Sequence, residues 1–203
     1  AAGGMTQAVA QGGEAATGQS AIDEIVVTAQ KRGEQSLSET PISIAVVQGS
    51  DLDLKGVRSV SDILNSIAGV NVIETQPGQN AVSIRGAAST FLTTSTVGYY
   101  MDELPFTLVS NNFIPDAGAY DLERIEVLRG PQGTLFGAGS LNGVVRILTN
   151  DANLEEYEFK TRARFSKAEN SDSTSGGDLA VNIPLIPGKL AIRGVASYSD
   201  HGG

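Results

Sequence analysis

Three groups of residues have types and spacings that chemistry could use. Asp51, Asp53, Gly56 and Asp62 fall at positions 1, 3, 6 and 12 of a calcium-loop template, where carboxylate oxygens would wrap a hard cation. Lys55 occupies the fifth ligand position, and Asp62 is shorter than the bidentate Glu that closes such a loop, so helix caps and solvated acids account for these residues better. The run GAGSLNG (137–143) approaches G-x-G-x-x-G but ends on Asn142, and the apolar Val144, Val145 and Ile147 behind it read as a strand. A pyrophosphate would need a helix N-terminus there, so nucleotide binding is not expected. Serine is plentiful, yet no G-x-S-x-G elbow appears and the single histidine, His201, sits in a terminal glycine run. No catalytic residue, metal ligand or cofactor is expected, and with no cysteine a transition-metal site lacks its usual donors.

The elements around these residues suggest a different kind of work. The net charge of −9 offers no basic stripe to displace counterions from phosphate, which argues against nucleic acid. No window approaches the roughly 18 apolar residues of a membrane helix, and no charged start leads into an apolar stretch, so any secretory signal is absent or removed. Residues 1–22 are small and polar without apolar periodicity, and should remain disordered because they bury too little to offset chain entropy. Residues 23–32 (DEIVVTAQKR) are rich in β-formers. Residues 33–150 read as a compact α+β domain with many glycine turns.

Within that domain ISIAVV (42–47) predicts a strand, and Ser50 can cap a short helix through Lys55 that Gly56 ends. SVSDILNSIAG predicts the best helix, with Ser59 and Asp62 in a capping-box pattern and Val60, Ile63, Leu64 and Ile67 on one face. Short strands follow at 70–73, 81–85, 97–101, 124–129 and 144–148, with Asp102 suited to a hairpin tip. Between the last two, Gly130, Gly133, Gly137, Gly139 and Gly143 mark a loop of unusual backbone or close packing.

That last stretch, DLERIEVLRGPQGTLFGAGSLNGVVRILTN (121–150), resembles the plug domain of TonB-dependent outer-membrane receptors, whose hallmark runs close to R-I-E-V-L-R-G-P-x-x-x-L-Y-G. SVSDILNSIAGVNV, VSIRG (82–86) and VGYYMDELPF (97–106) follow the family's other signatures in order, and the resemblance covers roughly residues 23–203. Ala68 stands where members often have Pro, Phe136 where they have Tyr, and Ala138 where a basic residue is common. The first two changes leave helix and strand intact; the third puts any family role of that loop residue in doubt.

The resemblance implies a fold and a mechanism. An α+β plug, a small mixed sheet with short helices and glycine-rich loops, would fill a transmembrane β-barrel and carry no catalytic activity. Asp23, Glu24, Ile25, Val26, Val27, Thr28 and Ala29 look like the TonB box, which members hand to the periplasmic domain of TonB and its inner-membrane energising complex. Strand addition supplies the physics: an extended peptide pairs with an open sheet edge, and weak, reversible binding suits a coupling that must release. The residues in isolation also fit an ordinary first strand of the domain. Arg85 and Arg129 occupy the I-R-G and L-R-G-P positions whose arginines lock plug to barrel glutamates, and their partners would lie past residue 203. Loops 74–80, 88–96 and 106–116 would meet substrate, with Phe91, Phe106, Asn111, Asn112 and Phe113 either contacting it or covering the plug. Iron chelates, cobalamin and carbohydrates all use this architecture, so the substrate is not legible.

Residues 151–203 change character. Tyr157, Phe159, Ala163 and Phe165 alternate with Glu158, Lys160, Arg162, Arg164 and Ser166. Leu179, Val181, Ile183 and Leu185 alternate with Asp178, Ala180 and Asn182, and Leu190, Ile192, Ala196 and Tyr198 oppose Lys189, Arg193 and Ser197. Strands of about ten residues, apolar toward lipid and polar toward a lumen, match a membrane barrel. KAENSDSTSGG (167–177) reads as a long hydrophilic outer loop and PGK (187–189) as a tight periplasmic turn. About three strands cannot close a barrel, so the chain is expected to be part of a longer outer-membrane protein with its N-terminus in the periplasm. The competing reading is a soluble periplasmic α+β interaction domain with a sandwich-like C-terminal part.

Overall fold

In a computed structural model of the chain, the described residues are 26–27, 35–36, 42–57, 59–76, 79–87, 94–106, 113–115, 118–167 and 173–200. The N-terminal tail lies outside them. In chain order the elements begin with β1 (Val26–Val27), β2 (Gln35–Ser36), β3 (Ser43–Gln48), α1 (Gly49–Lys55), α2 (Val60–Ser66) and β4 (Val70–Gln76). They continue with β5 (Gln79–Ile84), β6 (Val97–Met101), β7 (Leu104–Pro105), β8 (Phe113–Pro115) and β9 (Leu122–Arg129). The last are α3 (Gly133–Phe136), β10 (Gly143–Thr149), β11 (Glu158–Lys167), β12 (Ser173–Ile186) and β13 (Leu190–Asp200).

A five-stranded mixed sheet, ordered β3-β9-β10-β6-β7, forms the centre of the α+β domain. β9 runs antiparallel to β3 and β10, while β10 and β6 are parallel. Because side chains alternate, each strand sends residues to both faces. Ile125, Val127, Val145, Ile147, Val97 and Tyr99 join the main core with Val60, Ile63 and Leu64 of α2. The 3.6-residue period read from the sequence places that helix as expected, and the Ser59 hydroxyl accepts from the Asp62 N–H at 3.2 Å. A second sheet, β4-β5-β8, borders this core through Val70, Val82 and Ile84.

Three expectations change. The first short helix starts at Gly49 with Gln48 as its cap, without a side-chain capping bond, rather than at a Ser50 cap. Gly49 is needed there: a Cβ would sit 1.8 Å from the Leu122 carbonyl oxygen, so only glycine lets α1 come this close to β9. The glycine loop after β9 contains a helical turn, α3, which buries Phe136. Of the long outer loop expected at 167–177, Lys167 and residues 173–177 are strand, since β11 and β12 stay paired to Lys167↔Ser173, and residues 168–172 lie outside the described residues. Extending the ladder satisfies backbone groups that a loop would leave to water. Gly176 fits within it because a Cβ would lie 3.1 Å from the Tyr198 carbonyl oxygen and 3.3 Å from Arg164.

β11, β12 and β13 form a separate antiparallel sheet. Its faces divide as the alternation predicts. Phe159 and Phe165 are 70% and 85% exposed on one side, whereas Asp178, Ala180 and Asn182 are buried on the other. Among the described residues no helix is long and apolar enough to cross a membrane, a test that does not address strands.

Candidate functional site

The polar face of β11–β13 meets the α+β domain through charge. Asp121, immediately before β9, takes a left-handed φ of 57°, which Asp tolerates better than most residues. That backbone aims its carboxylate into a fork from Arg193 on β13, with Nε donating to Oδ2 at 2.7 Å and Nη2 to Oδ1 at 2.6 Å. Asn150 donates to the same carboxylate at 3.0 Å, and Lys160 of β11 lies 3.6 Å away. Burial works to raise the Asp121 pKa, but the Arg193 hydrogen bonds and charge, with Asn150 and Lys160, carry it below the usual carboxylate value. Arg193 also donates to Glu158 at 2.8 Å.

Arg162 makes the second contact. Its guanidinium stacks 4.8 Å from the Tyr120 ring centroid and reaches the Val57 and Ala119 carbonyl oxygens, while Nε donates to Asp178 at 2.8 Å. Asn182 of β12 donates to the carbonyl oxygens of Asn153 and Glu156 and accepts from the Asn153 N–H, holding the 150–157 connection against the strands.

At the far end of the central sheet Arg85 reaches the strand that pairs with Arg129. Arg85, exposed and with φ 55°, donates to the Ser43 hydroxyl at 3.2 Å, and Ser43 is the ladder partner of Arg129. Among the described residues neither arginine has a carboxylate partner, and the buried Arg129 Nε has no hydrogen-bond acceptor. From there to Asp121 runs the length of β9, roughly 23 Å at about 3.3 Å per residue.

A third charged group lies inside the sheet. Glu126, fully buried, accepts from Arg124 at 2.8 Å and from Arg146 at 2.6 Å, and Arg146 reaches on to Glu103 at 2.9 Å. Arg146 and Glu126 are direct cross-strand neighbours. Beside them the Tyr100 hydroxyl donates to the Phe136 carbonyl oxygen at 2.5 Å, and burial, with Glu103, raises the Tyr100 pKa.

This arrangement, a mixed sheet carrying R-I-E-V-L-R-G-P on its second strand and docked on amphipathic strands, has known counterparts. Residues 36–144, more than half of the chain, match the family described as TonB-dependent Receptor Plug Domain. The chain belongs to this plug family.

The plug's relatives are outer-membrane receptors and transporters. The iron-regulated outer membrane virulence protein of Vibrio cholerae is 28% identical over 176 residues, covering 83% of this chain and 26% of that protein. The vitamin B12 transporter of Vibrio vulnificus is 34% identical over 134 residues, covering 64% and 21%. The chain thus spans about a quarter of the length of the curated relatives it matches. The solved ferripyoverdine receptor of Pseudomonas aeruginosa bound to ferripyoverdine superposes with a TM-score of 0.68 at 24% identity, over 87% of this chain and 22% of that one, a likeness of fold. The plug is accordingly an outer-membrane protein that sits inside a barrel, and the soluble periplasmic alternative is set aside.

Of the residues expected to form a TonB box, Val26 and Val27 pair antiparallel with Ser36 and Gln35, and Val27 is buried. Asp23, Glu24, Ile25, Thr28 and Ala29 lie outside the described residues, as do Phe91, Asn111 and Asn112. Phe106 follows β7 and is partly exposed, and Phe113 lies in β8, its side chain outside the description. Sequence reading missed Asp121 and its clasp. The alternation made Arg193, Arg162 and Glu158 inward-facing, but only the fold reveals what they face. An Asp ahead of a strand in a left-handed conformation carries no pattern of its own.

Proposed function

We propose that this chain is the plug, TonB box and first barrel strands of an active importer for a large nutrient, driven by TonB and without enzymatic activity. One observation carries the reading: a plug-family core sits on the polar face of strands whose opposite face is apolar, the geometry of a stopper on an inner barrel wall. Further strands would be needed to close that wall, since three cannot. The relatives' names, a vitamin B12 transporter and a ferripyoverdine receptor, suggest iron chelates or cobalamin as the substrate class. Substrate would approach the loops that carry Phe91, Phe106, Asn111, Asn112 and Phe113.

Asp23 to Ala29 would be the handle passed to TonB. Supporting this, Val26 and Val27 already adopt extended backbone, paired with Ser36 and Gln35, and each bond of such a pairing nets about 0.5–1.5 kcal/mol. A partner's sheet edge can pair with the same extended backbone. Arg85 and Arg129 would lock the plug to wall glutamates. In support, the buried Arg129 Nε has no acceptor among the described residues, and a buried guanidinium calls for a carboxylate from elsewhere.

A peptide of residues 15–40 titrated by calorimetry with the periplasmic domain of TonB tests the handle. Weak, saturable binding is expected, and Val26→Pro should abolish it by removing a ladder donor. Absence of binding by the parent peptide would defeat the coupling proposal.

A further inference from the structure

We propose that Asp121 is a second fastening between plug and wall, opposite in polarity and in position to the arginine pair at Ser43. It rests on the plug-and-wall reading above. Here the plug contributes the acid and the wall the guanidinium. Arg193 grips both carboxylate oxygens in the planar fork geometry that makes such pairs strong and directional. Both side chains are withdrawn from water, at 1% and 9% exposure, so solvent screens the contact little.

The surroundings are arranged around this contact. Glu158 holds the other edge of the Arg193 guanidinium at 2.8 Å and so sets its plane. Asn150 reaches Asp121 from the plug side at 3.0 Å, so the carboxylate is oriented before the wall meets it. Asp121 and Arg193 are 72 residues apart, one just ahead of a central-sheet strand and the other in the β11–β13 sheet, so the contact holds nothing local together. It lies beside the covalent connection from β10 to β11, where the Gly188 N–H of the wall turn donates to the Leu154 carbonyl oxygen. The plug is thereby pinned where its chain enters the wall, while the arginine pair sits a strand's length away.

The receptor expressed from its complete coding sequence, reconstituted in planar bilayers and titrated with urea, tests the fastening without substrate or TonB. Asp121→Asn and Arg193→Gln should each raise channel opening about tenfold at a fixed urea concentration below the parent's opening midpoint. The double variant should add nothing to the larger single effect, as residues acting through one contact require. Purely local damage to the plug or the strands would give additive effects; additive effects, or no effect of either single change, would overturn the proposal. Absence of any urea-opened conductance in the parent would overturn the wall reading, and the fastening with it.

Discussion

At Glu126 two arginines share one carboxylate inside a β-sheet. Arg124 comes from the same strand and Arg146 from directly opposite, and neither Glu126 nor Arg146 is more than 1% exposed. Buried charges of this kind cost desolvation when made and more when broken, because the partner is left without its counter-charge. Glu126→Ala should destabilise the plug by about 3–5 kcal/mol. Glu126→Gln, which retains the shape and an acceptor oxygen, should cost less. Urea unfolding of the chain in detergent, followed by tyrosine fluorescence, would report both. The residue types were plain in the motif, but which of its charges point inward was not. Arg124, Glu126 and Arg129 all lie in or at the end of β9, and only cross-strand register separates the buried network from the sheet's charged end.

The secondary elements follow local rules more faithfully. Val60, Ile63 and Leu64 of α2 are buried as their spacing requires, and Ile67, expected on the same face, is buried as the extended C-cap that ends the helix. The alternation of β11–β13 assigns two faces, and exposure follows it: Ile183 and Leu185 outward, Asp178 and Asn182 inward. Leu179→Arg, at the middle of β12 and on the same outward face, should therefore cost about 2–4 kcal/mol of stability in a bilayer, and Tyr157→Arg, beside a strand end, about 0–1 kcal/mol. Reversible unfolding from lipid vesicles would measure the difference. Strand ends were harder to read. Ser173 to Gly177 look like loop by composition, yet pairing with β11 and β13 holds them in the ladder, and packing beside Arg164 accounts for Gly176.

For the molecule as a whole, docking of plug on strands depends on ionised Asp121, flanked by Arg193, Lys160 and Asn150, with Glu158 on the far side of Arg193. Its pKa is depressed in the folded state, so the stabilisation is complete above the unfolded value, near 3.8, and is lost as pH falls through the lower folded value. The difference in urea-opened conductance between parent and Asp121→Asn should hold constant from neutral pH to about 4 and close below it. A difference that vanished near neutral pH would contradict the assignment.

The residue pattern alone determined the family, the core helix and the two faces of the last three strands. Each of these depends on periodicity, composition or a local motif, which a linear chain displays. Tertiary structure decided that Asp121 meets Arg193, that Arg146 from the facing strand shares Glu126, and that Arg85 reaches Ser43. Those contacts join residues that are distant along the chain, and their partners are chosen by strand register and sheet docking, which no single stretch of sequence encodes.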